Sequence, residues 1–219
     1  MATANNAYWK YKLVPTPEQE AILKKCLDRS SLFWNFCVDH LSFPATEYLA
    51  GPDTDEEDQK FYKRVDELMD LMVLASTGAL ADDTPGKAML QDWLPFTEQM
   101  FELPISALKN RLDDLVSAYV AVKDNIRGEQ SSNTSAPRRK TDTSSQSIRF
   151  EQADFEIKGT RLILKRPYPI EFTIPELVSL KVKAPYSLSI SRRALMGSGK
   201  FGPAEKDDGG SLMLTIREA

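Results

Sequence analysis

Two hydrophobic periods divide this chain, and any fold it adopts must accommodate both. Between Thr16 and Ile126 apolar residues recur at every third or fourth position, whereas from Ile148 onward they recur at every second one. The first spacing is the stripe of an amphipathic helix, and the second is the buried face of a strand. The order predicts an α+β protein whose helical block lies between a first strand and a set of short strands.

The helical block has a well-marked start. Tyr8, Trp9 and Tyr11 favour a strand that is stopped by Pro15. Thr16 reads as an N-cap, with Pro17 at the first helical position and Gln19 closing a capping box. Glu18 and Glu20 then fall where the helix dipole favours negative charge. Ile22, Cys26, Phe33, Cys37 and Leu41 share one stripe, which the polar run Asp28–Ser31 is expected to divide into two helices ending near Pro44. Phe61, Val65, Leu68, Met69, Met72 and Val73 mark a further helix. The acidic run at 55–58 before them reads as surface, where reversal to lysine should leave folding intact. The most regular stripe, and the expected longest regular helix, runs from Ile105 through Leu108, Leu112, Leu115, Tyr119 and Val122 to Ile126, ahead of Gly128.

Residues 131–147 are rich in Ser and Thr around a basic centre, and read as a flexible linker. Beyond them, Phe155 to Ile157 and Leu162 to Leu164 flank a Lys158-Gly159 turn as in a hairpin. Further strands are expected at Phe172–Ile174, Val178–Val182, Leu188–Ile190 and Leu212–Ile216, with a Gly-rich charged loop over 194–210. Together with the first strand these suggest a small antiparallel, OB-like β-barrel.

Charge is as segregated as periodicity. The net charge of −4 conceals a net −9 over residues 1–136 and +5 over 137–219. The acidic excess is concentrated in 53–102, with 13 acidic residues against 4 basic. No run of apolar residues is long enough to span a bilayer and the first residues have no signal-peptide core, so an intracellular, cytoplasmic protein is expected. Cys26 and Cys37 are the only cysteines, both on apolar helix faces, and read as buried thiols.

No catalytic constellation emerges. His40, the only histidine, reads as half-buried or solvent-facing beside Asp39. Gly197-Ser198-Gly199-Lys200 lacks the spacing of a phosphate-binding loop. The adjacent pairs Asp82-Asp83, Asp113-Asp114 and Asp207-Asp208 are sequence neighbours, whereas a two-metal nuclease draws carboxylates from separate elements. Neither a metal nor a cofactor is implied, and the chain is expected not to be an enzyme. The basic residues carry more information. Arg138, Arg139, Lys140, Lys165, Arg166, Lys181, Lys183, Arg192 and Arg193 alternate in the β half with Phe150, Phe155, Tyr168, Phe172 and Tyr186. Such a pattern suits a surface that tracks phosphates and stacks bases, although strands also carry Lys and Arg simply as a wet face.

Four blocks in the same order resemble TnpB, the transposon-encoded RNA-guided nuclease related to small type V CRISPR effectors. They are Tyr11 to Asn35, ending in the aromatic-Asn pair Trp34-Asn35; Leu103 to Tyr119; Pro137 to Lys140, leading through Ser147–Phe150 to the hairpin at Leu164; and the strand pair at 187–192 and 211–217. The resemblance implies a wedge-like barrel over 7–15 and 137–219, a helical recognition domain over 16–130, and the basic linker 131–147 between them. It also implies that these parts grip a structured guide-type RNA or an RNA–DNA heteroduplex. Candidate nucleic-acid contacts then include Lys10, Lys12, Trp34, Asn35, Lys109, Asn110 and Arg149 besides the cations named above.

The family's RuvC-like nuclease domain would begin where this sequence ends, so its catalytic carboxylates are not expected here. Two further departures are the acidic 53–102 segment and the helix end Ala118-Tyr119-Val120-Ala121-Val122, which lacks the family's aromatic ending. The expected function is a non-catalytic RNA-binding subunit of a split RNA-guided complex, working with a separate RuvC-containing subunit. Two alternatives stand beside it. One is an anti-CRISPR-like inhibitor or regulator that competes for a type V effector's guide RNA or protein surface. The other is a structural interaction module without nucleic-acid binding.

Overall fold

Thr16 starts the first helix as its side chain dictates. In this computed structural model its Oγ1 accepts from the Gln19 N–H at 3.3 Å, and Gln19 Oε1 accepts from the Thr16 N–H at 2.8 Å. The structure describes residues 8–50, 55–77, 79, 87–88, 90, 94–128, 135–141, 146–165, 168–175, 177, 186–192 and 212–218. Strand β1 is Tyr8–Leu13, followed by the helices α1 (Pro17–Ala50), α2 (Asp55–Ser76), α3 (Leu94–Phe101) and α4 (Ile105–Ile126). Then come β2 (Gln146–Phe150), a short 3-10 turn (Gln152–Asp154), β3 (Phe155–Lys158), β4 (Arg161–Leu164), β5 (Ile170–Thr173), β6 (Tyr186–Arg192) and β7 (Leu212–Glu218). No helix among the described residues is long and apolar enough to cross a membrane.

Helix α1 is one helix of 34 residues, longer than α4, and the division expected at Asp28–Ser31 is absent. The reason is that most of the polar run is buried, and that Arg29 and Ser30 find partners there. Arg29, Ser30 and Ser31 are each less than a tenth exposed. The Arg29 guanidinium donates to the Tyr168 hydroxyl, and Ser30 Oγ donates to the Ser147 carbonyl at 2.8 Å. Pro44 does not end the helix either. Beside it the Ser42 hydroxyl donates to the Asp39 carbonyl at 3.0 Å, and Thr46 Oγ1 to the Ser42 carbonyl at 2.8 Å.

The chain divides into two compact units, Met1–Ser31 with Thr141–Ala219, and Leu32–Lys140. The first holds all the described strands and the opening turns of α1. Among the described residues its strands form two antiparallel sheets and not the expected closed barrel: a four-stranded sheet ordered β1-β7-β6-β2, and a three-stranded one ordered β3-β4-β5. The strand expected at Val178–Val182 and the loop at 194–210 lie outside the described residues. In the four-stranded sheet, Trp9, Ile216, Leu188 and Phe150 stand opposite one another across all four strands, as do Tyr11, Leu214, Ile190 and Ile148. These two rows are the apolar face that the two-residue period requires. In the three-stranded sheet Leu162 faces Ile157 on one side and Phe172 on the other.

The second unit is helical. Its core gathers Phe33, Phe36, Leu41, Phe61, Leu68, Met72, Leu108, Leu112 and Leu115, all essentially inaccessible to solvent. Tyr48 stacks on Phe61 with ring centroids 4.5 Å apart, and Tyr119 meets the same ring edge-on at 5.7 Å. Both cysteines are buried thiols, as their helix faces suggested. Burial pushes the Cys37 thiol far above its ordinary pKa, which leaves it unreactive. The acidic run at 55–58 is the first turn of α2, and it is not uniformly surface. Asp58 pairs with Lys123, whose side chain is 5% exposed and whose ammonium lies 3.9 Å from the Tyr48 ring centroid. Charge reversal there would strand a buried lysine, which corrects the expectation that this run is freely replaceable.

Candidate nucleic-acid interface

The second face of the four-stranded sheet is built by the same alternation that makes the first one apolar. Lys10, Thr215, Ser189 and Arg149 form one row across it, and Lys12, Met213, Ser191 and Ser147 the next. Arg217 and Ser187 make a third, shorter row. Among the described residues this face carries four cations, Lys10, Lys12, Arg149 and Arg217, and no carboxylate. Lys10, Lys12 and Arg217 are exposed, and Arg149 is half-buried. Lys10 and Arg149 end the same row three strand spacings apart, roughly 14 Å. Between the cations lie the half-buried Ser189 and Ser191 and the buried Thr215, so what the face offers is mainly the exposed charges of Lys10, Lys12 and Arg217, which suit an anionic polymer.

The first face ends differently. In its third row Leu13 and Leu212 continue to Arg192 and Gln146. Arg192 reaches Glu20 of α1 at 3.2 Å, and Gln146 Nε2 donates to Asp28 Oδ1 at 3.1 Å. Arg192, expected as a nucleic-acid contact, thus serves to tie the start of α1 to the sheet. Tyr168 is similarly engaged, with Lys25 4.6 Å and Arg29 5.3 Å from its ring centroid.

In the helical unit the pair Trp34-Asn35 turns inward. Trp34 is 9% exposed, and its Nε1–H donates to the Arg138 carbonyl at 2.9 Å. Asn35 donates through Nδ2 to the Lys140 carbonyl at 3.0 Å and accepts the Lys140 N–H at 2.6 Å. An amide side chain that bonds both backbone groups of one residue imitates a strand partner. The basic segment, expected to be part of a flexible linker, is therefore held on α1 at both ends. Arg138 and Arg139 are both exposed, and Arg139 lies 3.6 Å from Asp39.

Behind the segment Arg111 is buried, 4.5 Å from the Trp34 ring centroid and 4.0 Å from Asp114. The Lys140 ammonium is 5.2 Å from the same ring. Burial pushes Arg111 down to about 10. Lys140 is pushed down to about 8, first by burial and then by the Arg111 charge, with Asp114 opposing. Two cations crowding one aromatic ring is the electrostatic signature of this corner.

Of the other residues expected here, Lys109 is exposed and Asn110 half-buried on α4. Lys165 is exposed, with its backbone N–H bonded to the Asp154 carbonyl at 2.8 Å. Arg166, Lys181, Lys183 and Arg193 lie outside the described residues. Sequence reasoning missed Arg217 and Arg111. The first was signalled by the alternation of β7, which sets 213, 215 and 217 opposite its apolar residues. The second was one charged position within an apolar helical stripe, with no local sign of its partners.

The profile of the helix-turn-helix domain of the IS605 OrfB family matches residues 1–41. Within that span the described residues form β1 and the first part of a single continuous α1, a strand and one helix. No curated protein matches the chain. The matched span covers the Tyr11–Asn35 block that carried the resemblance, and supports a relationship to the TnpB/IS605 transposase-associated family.

Proposed function

We propose that this chain is a non-catalytic, TnpB-related protein that binds structured RNA, working as the binding part of an RNA-guided complex whose nuclease lies elsewhere. The observation that carries the reading is the face of the four-stranded sheet where Lys10, Lys12, Arg149 and Arg217 share one side, with no carboxylate among its described residues. The family match over residues 1–41 supports nucleic-acid binding. Because the described residues of that span form a strand and one helix, the binding rests on a charged surface rather than on a recognition helix entering a groove. Contacts of this kind read backbone and shape more than sequence, which fits the folded RNA that the four-block resemblance implies.

The test is fluorescence anisotropy with a labelled RNA hairpin carrying a single-stranded tail, against DNA of the same sequence. The chain is expected to prefer the RNA, with affinity falling steeply as salt rises. The variant K10A/K12A/R217A should reduce the slope of log affinity against log salt by up to about 2, or about 0.7 for each single-strand phosphate that is no longer neutralised. Absence of RNA binding at low salt, or an unchanged slope in the variant, refutes the reading.

A further inference from the structure

The segment Arg138–Lys140 is held in the helical unit by three hydrogen bonds that come from two adjacent residues of α1. We propose that Trp34 and Asn35 form a latch that presets this segment as a phosphate-binding loop, acting as positioning residues that do not touch the nucleic acid themselves. The inference rests on the RNA-binding reading above and assigns a second contact region to it.

Three observations converge. The Arg138 carbonyl is bonded by Trp34 Nε1, and both backbone groups of Lys140 by Asn35, so the backbone is fixed on either side of Arg139. The entropy of ordering a loop, which binding would otherwise have to overcome, is already spent in folding. Secondly, Trp34 is too buried to stack on a base, while Arg139 stays exposed. The pair of Arg139 with Asp39, at 3.6 Å and largely in water, is weak enough to exchange for a phosphate. Thirdly, Lys140 and Arg111 both lie over the Trp34 ring, with Asp114 of α4 beside Arg111. An anion bound at the segment relieves this repulsion, and guanidinium groups engage phosphate oxygens in pairs. The depressed Lys140 adds a signature. Its ammonium is lost as pH rises through about 8, so phosphate affinity conferred by this corner declines over the same interval.

The experiment uses the labelled RNA hairpin with the full chain and its variants N35A, W34F and K140R, each checked by thermal melting. Asn35→Ala removes both bonds to Lys140, and Trp34→Phe removes the bond to Arg138 while keeping a ring in place. Each folded variant should bind about fivefold more weakly than wild type. Either of the two is sufficient, so a variant that does not fold leaves the other to decide. Wild-type affinity should decline as pH rises through about 8, and K140R, which stays charged, should flatten that profile. Wild-type affinity in whichever of N35A and W34F folds, or a K140R profile parallel to that of wild type, overturns the latch. Failure of the wild type to bind the hairpin at all overturns the RNA-binding reading together with it.

Discussion

Gln19 donates through Nε2 to the carbonyl oxygen of Glu171 at 2.5 Å, while its Oε1 accepts the N–H of Thr16 at 2.8 Å. One side chain closes the capping box of α1 and fastens that helix start to β5, 152 positions away. The two roles use different atoms, so they can be separated. Gln19→Glu keeps an acceptor for Thr16 but loses the donor and sets a carboxylate against a carbonyl. Gln19→Ala loses both. Chemical denaturation should show Q19A destabilised by about 1–2 kcal/mol, and Q19E destabilised as well despite its intact cap. Wild-type stability in Q19E would mean that the bond to Glu171 contributes nothing.

Within the acidic start of α2, Asp58 and Glu56 are expected to behave differently. Glu56 pairs with Lys60 at an exposed site, 77% and 54% accessible, and E56K should fall within about 0.5 kcal/mol of wild type. Asp58 holds the buried ammonium of Lys123, and D58K should cost about 2–4 kcal/mol, scaled down from a fully buried pair because Asp58 is 38% exposed. Restoring opposite charge with D58K/K123E should recover part of the loss. Equal stability of E56K and D58K in urea titrations would refute the distinction.

Lys140 makes stability depend on pH in a direction opposite to that of a lysine stabilised by an ion pair. Its pKa in the folded chain, about 8, lies below the ordinary lysine value of 10.5. Between those values the unfolded chain binds more protons than the folded one, so the Lys140 contribution to stability rises with pH across that window. Lys140→Met removes the titration. K140M should therefore match or exceed wild type at pH 7, and its advantage should shrink by about pH 9.5. A larger K140M advantage at high pH than at pH 7 would show that the sign is wrong.

The continuity of α1 through Arg29 depends on Tyr168. A double-mutant cycle with R29M and Y168F should return a coupling of about 1 kcal/mol or more, since the hydrogen bond is charge-assisted and part-buried. R29M alone should also lower helicity by circular dichroism if α1 loses order at that turn. Additive effects of the two substitutions would indicate that Arg29 is tolerated in the helix for another reason.

Local chemistry was legible in the sequence, and non-local pairing was not. The Thr16–Gln19 cap, the end of α4 ahead of Gly128, and the alternation of the strands all follow from interactions within a few residues, which sequence spacing reports directly. The α+β class followed from that periodicity. The break expected in α1 shows the limit: a polar run reads as a division unless its partners are known, and those of Arg29 and Ser30 lie 139 and 117 positions away. The same limit applied to Trp34-Asn35. The resemblance to TnpB marked the pair, but only folding brought residues 138 and 140 against it and made it a support for a basic segment. The partition of the strands into two sheets was likewise decided by tertiary structure. Alternation assigns a face to each residue, but hydrogen bonds between strands far apart in sequence decide which strands pair, and so which cations, Lys10, Lys12, Arg149 and Arg217, share one surface.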